Sequence, residues 1–101
     1  MMMYFEFNEH KLKQNNFTKE QCFRVIDKVM NEYGVYANQP GTYMASDESG
    51  FNAFSILKCN LPKTKWFLKV IEKWFWFDDE DDIDWNDEGT DCIHSIQKYG
   101  A

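Results

Sequence analysis

The sequence predicts an α+β fold of the ferredoxin-like type, a βαββαβ chain whose antiparallel sheet carries two helices packed on one face. Three observations carry that expectation: an opening stretch with strand alternation, a central stretch with helical spacing between a cap and a glycine, and turn-forming residues dividing the remainder. At 101 residues, 44 % apolar and 18 % aromatic, the chain is expected to form a single domain with one core.

Met3, Phe5 and Phe7 alternate with Tyr4 and Glu6, the period-two pattern of a strand with one face buried. Residues 10–16 are polar and read as a connection. Thr18 is then a good N-cap and Gln21, three residues on, completes a capping box, each side chain satisfying a backbone N–H that the helix leaves unpaired. From there Cys22, Val25, Ile26, Val29, Met30 and Tyr33 follow one helical face, and Gly34 supplies the stop.

Asn38-Gln39-Pro40-Gly41 is turn chemistry, since proline fixes φ at one corner and glycine accepts positive φ at the next. A short strand is expected over 42–46, a second turn at Asp47-Glu48-Ser49-Gly50, and a longer central strand over 51–59 with apolar residues on both sides. Phe67, Leu68, Ile71, Trp74 and Phe75 then share a helical face, which predicts a helix over 63–76 with Trp76 on the charged side beside Lys69 and Lys73, at least partly exposed. The run Trp74-Phe75-Trp76-Phe77 also fits a strand, which aromatics favour. The last element, over 92–99, reads as a strand, with a helix capped by Thr90 as the other possibility.

Charge is distributed unevenly. Residues 1–77 hold eight acids against ten bases, whereas residues 78–101 hold nine acids and one lysine, so the formal charge of −6 comes from the C-terminal quarter. All nine acids of that quarter fall between 78 and 91, too dense to be buried unpaired, and the segment is expected to form an acidic surface. Ile83 and Trp85 interrupt the run and Trp76 precedes it. Large apolar side chains among charges fit an interface, where tryptophan anchors lose water while the charged rim steers a basic partner. The expected contact residues are Asp78, Asp79, Glu80, Asp81, Asp82, Ile83, Asp84, Trp85, Asp87 and Glu88, with Trp76 as a further anchor.

Other chemistries find less support. Cys22, Cys59 and Cys92 are widely spaced without a CxxC and read as buried thiols. Cys92-x-His94 places two metal ligands on one side of a strand but lacks a second close pair, and a Cys92–His94 dyad lacks an oxyanion donor and an orienting group. Asp84-Trp85-Asn86-Asp87-Glu88-Gly89 opens like an EF-hand loop, yet the twelfth position is Ser95 where a bidentate glutamate is needed. The chain is therefore expected to be no enzyme and to need no metal or cofactor. No apolar run approaches the roughly 18–20 residues of a membrane span, and the first residues lack a signal-peptide pattern, so the expected location is cytoplasmic.

Direct nucleic-acid binding is disfavoured, because the acidic quarter repels phosphates. The same quarter presents a basic groove with spaced negative charge and planar groups, much as a nucleic-acid strand does. In charge and size the chain resembles the small acidic immunity proteins that neutralise bacterial toxins and phage-encoded anti-CRISPR inhibitors, and a single arginine against ten lysines fits a bacterial or phage source. That resemblance implies a protein inhibitor acting as a nucleic-acid mimic on a basic, nucleic-acid-handling protein. The competing expectation is a ligand-binding or self-associating regulatory domain whose acidic loop is merely solvated.

Overall fold

The computed structural model describes residues 1–77 and 90–94. A five-stranded antiparallel sheet, in the order β2-β3-β1-β4-β5, is built from β1 (Met2–Phe7), β2 (Ala37–Gln39), β3 (Thr42–Met44), β4 (Ile71–Phe77) and β5 (Thr90–Asp91). The first four strands in space follow the ferredoxin-like order, and β5 is added outside β4, so the expected α+β class holds with an extra edge strand.

Among the described residues the sheet is accompanied by the helices α1 (Glu9–Gln14), α2 (Lys19–Glu32), α3 (Glu48–Asn60) and the single turn α4 (Phe67–Val70). Their placement follows from the pairing register. Met3 lies opposite Tyr43 and Trp76, and Phe5 opposite Trp74, so these side chains share one face of the sheet. α2 covers that face through Phe23 against Phe7 and through Asp27, which accepts a hydrogen bond from the Tyr43 hydroxyl. α3 covers it through Phe54, edge-on to Trp76 at 5.6 Å. Phe67 of α4 meets Phe5 and Trp74 edge-on. The expectation of helices packed on one face is met.

The capping box of α2 is present as the sequence predicts: Gln21 N–H donates to Thr18 Oγ1 at 3.1 Å, and Thr18 N–H donates to Gln21 Oε1 at 3.0 Å. Cys22, Ile26 and Met30 form its buried stripe, while Val25, expected on that stripe, is exposed at its margin. Gly34 ends the helix at φ +76°.

Five expectations are corrected. Residues 10–16 are mostly helical, because Asn8 caps α1 by accepting from Lys11 N–H at 2.9 Å. The turn expected at 47–50 is the start of α3, with Asp47 Oδ1 accepting from Gly50 N–H at 2.9 Å, and the strand expected over 51–59 is the body of that helix. Its buried residues Ala53, Phe54 and Leu57 lie at helical spacing and pack on the sheet as one stripe. The helix expected over 63–76 is replaced by a 3-10 turn at Leu61–Lys63, then α4 and β4. Cys59 is exposed, whereas Cys22 and Cys92 are buried as expected.

The β4 error has a definite cause. Glu6 pairs with Lys73 but Phe7 pairs with Ile71, so Glu72 is the extra residue of a β-bulge. The bulge puts Ile71 and Trp74, three residues apart, on the same buried face, which in sequence imitates a helical step.

Gly41 makes the tight β2–β3 connection at φ +88°, and its carbonyl accepts the Phe5 N–H at 2.8 Å. A Cβ there would run into the Phe5 carbonyl oxygen, whereas a Cβ at Gly34 would meet open space. Gly41→Ala is expected to destabilise by about 2 kcal/mol or more, since backbone must move as well as strain. Gly34→Ala should lose only about 1 kcal/mol, the cost of the left-handed conformation. Urea denaturation midpoints at unchanged slope check the difference.

Candidate functional site

The acidic segment is anchored by the sheet. The chain leaves β4 at Phe77 and rejoins the sheet at Thr90, and the antiparallel pairs Phe75–Asp91 and Trp76–Thr90 hold the two ends side by side. Of the expected contact residues, Asp78, Asp79, Glu80, Asp81, Asp82, Ile83, Asp84, Trp85, Asp87 and Glu88 lie outside the described residues, as does the EF-hand-like stretch at 84–89. Asp91, the last acid of the run, is exposed and accepts a hydrogen bond from His94 N–H at 3.0 Å.

Trp76 is placed, and its expected exposure is corrected. Its side chain is 9 % exposed and points into the core, where Phe51 and Phe54 lie 5.5 and 5.6 Å from its ring centroid. Lys58 Nζ stands 5.7 Å from the ring, close enough for a cation–π contact. Strand geometry explains the reversal, because alternation sends Trp74 and Trp76 inward and Phe75 and Phe77 outward. Trp76 thus fixes the strand from which the acidic segment departs.

The outward residues form a feature that sequence reasoning missed. Met2 lies opposite Met44 and Phe77, and Tyr4 opposite Phe75, so these five side chains share the face of the sheet away from α2 and α3. The Phe75 and Phe77 rings are 6.2 Å apart, and Met44 is 39 % exposed. The Tyr4 hydroxyl donates to Glu6 Oε2 at 2.8 Å at the polar end of this face. The signal that marks it is the strand reading of Trp74-Phe75-Trp76-Phe77, with alternate aromatics assigned to opposite faces.

Cys92 and His94 are helical, so the strand expected over 92–99 gives way to the helical alternative in residues 92–94, and the remainder of that element lies outside the described residues. Cys92 is fully buried, and burial pushes its thiol up to about 11, so it is a neutral thiol at physiological pH. Its Sγ lies 3.8 Å from the Thr90 carbonyl oxygen. Among the described residues no three His, Cys, Asp or Glu side chains gather at metal-binding distance, and no helix is long and apolar enough to cross a membrane.

The fold and these surfaces describe a small α+β domain with an acidic insertion at one sheet edge and an apolar face beside it. Comparison of the chain with family models, with curated proteins and with solved structures gives no match in any of the three.

Proposed function

We propose that this protein is a binding protein of the inhibitor class, whose acidic segment occupies the basic, nucleic-acid-handling surface of another protein in the manner of toxin immunity or phage anti-defence proteins. The observation that carries the reading is the anchoring of a stretch with eight acids, residues 78–89, by paired strands at both ends. A segment with fixed ends has fewer conformations than a free tail of equal length, so less entropy is lost when it binds.

Two further features support it. The rest of the chain is close to neutral, so the negative charge is concentrated in the one segment that joins β4 to β5, a one-sided distribution of the kind that steers a basic partner. Phe75 and Phe77 lie at the root of the segment, and the face they share with Tyr4, Met2 and Met44 supplies the apolar anchors that buried Trp76 does not.

The test is competition. A panel of basic DNA-binding proteins, each carrying a fluorescein-labelled duplex oligonucleotide, is titrated with the protein at low and at physiological salt. Displacement of the oligonucleotide, weakening about tenfold or more as salt rises, is the expected outcome. The reading fails if the protein binds no member of the panel, or binds while the oligonucleotide stays in place.

A further inference from the structure

At the opposite edge of the sheet a groove of about 1060 Å³ runs between α2 and the β2–β3 hairpin. We propose that this groove takes an extended acidic peptide, which adds as a strand to β2 while its carboxylates pair with Arg24 and Lys28. The inference goes beyond the inhibitor reading and does not depend on it.

Length, edge and charge each point to that occupant. The lining spans α2 from Lys19 to Asn31, about 18 Å at helical rise, which is the length of roughly five extended residues. Phe23 and Tyr43 line it as its aromatic part, Arg24 and Lys28 contribute from the helix, and Asn38 and Gln39 from the strand. β2 is the terminal strand, all three of its residues are exposed, and its side away from β3 has no strand partner among the described residues. An unpaired edge beside a helix offers a peptide main-chain hydrogen bonds on one flank and side-chain selection on the other.

The charges in the groove are not equivalent. Lys19 is held by Glu9 at 2.7 Å, and Asp27 accepts the Tyr43 hydroxyl. Arg24 and Lys28 have no ion-pair partner among the described residues, and both are exposed. Glu20 sits in the first turn of α2, one turn before Arg24. Residues four apart on a helix have Cβ atoms about 6 Å apart, and alternate residues of a strand point the same way at about 6.6 Å. Carboxylates at every second position of a bound strand therefore meet Arg24 and Lys28 together, and the planar arginine donates two parallel hydrogen bonds to one of them. Asp91, the acid of that run that lies among the described residues, is on β5, four strand positions from β2 and about 19 Å away at sheet spacing, where physiological salt screens most of its repulsion.

Fluorescence anisotropy with a short labelled peptide of alternating glutamate and valine tests the proposal on the full chain. Saturable binding is expected, with affinity reduced about tenfold or more in the Arg24→Glu, Lys28→Glu double variant. Methylating alternate backbone nitrogens of the peptide, in either register, should reduce binding in at least one register without touching the protein, because the ladder to β2 is then incomplete. A peptide of alternating lysine and valine should not bind. The proposal is overturned if the double variant binds as well as the parent while its far-UV CD is unchanged, if both methylated peptides bind at full strength, or if sedimentation shows a second copy occupying β2 and excluding the peptide.

Discussion

Trp74→Ala is expected to remove about 3–5 kcal/mol of stability, the range for deleting a large aromatic from a packed core. Trp74 is fully buried at the centre of β4. It stacks on Phe5 at 5.8 Å and 19°, and receives Phe67 edge-on at 4.9 Å. One ring therefore joins the two longest strands to α4, and its loss opens a cavity that three elements would have to close together. Domains of this size are stable by about 5–15 kcal/mol, so the variant should be largely destabilised at ambient temperature. Trp74→Phe is the informative companion. The buried indole Nε1 has no acceptor among the described residues, so phenylalanine keeps the stacking face and removes that donor. Its cost should be less than half that of alanine, and chemical denaturation followed by far-UV CD measures both. A loss below about 1 kcal/mol for Trp74→Ala would show that the core is not organised around this ring.

Reversing four acids at once, with Asp79, Asp81, Asp84 and Asp87 all changed to lysine, is expected to abolish binding to any basic protein the parent engages. Each reversal replaces an attraction with a repulsion, and like charges set against each other at an interface cost several kcal/mol in total. The fold should be unaffected or slightly steadier, because the nine acids repel one another within a short stretch. Titration against the partner found in the competition experiment, with CD as the control, gives the answer. Retention of the parent affinity and salt dependence by the reversed protein would locate the contact face elsewhere.

Much of the fold was legible in the sequence where a single physical signal acted alone. The alternation of Met3, Phe5 and Phe7 marks β1, the Thr18–Gln21 box and Gly34 bracket α2, and Pro40-Gly41 marks the hairpin turn. Legibility failed where two signals overlapped. Asp47 serves equally as a turn residue and as a helix cap, and only packing decided for the cap of α3. The bulge at Glu72 gave β4 a false helical step. The strand order nevertheless emerged close to expectation from different segments, because an α+β chain with alternating elements and short connections has few ways to cover one face of a sheet. For the site, the acidic run was evident from composition, but the burial of Trp76 followed from a strand register that no local pattern specifies.

The short ladder between β4 and β5 gives the acidic segment the character of an insert. Its ends emerge from adjacent strands, and the residues that hold those strands in place, Trp74, Trp76 and Cys92, are buried in the core. The proposed contact acids are thereby separate in sequence from the strands and helices that carry the core, so substitutions among them leave its packing untouched.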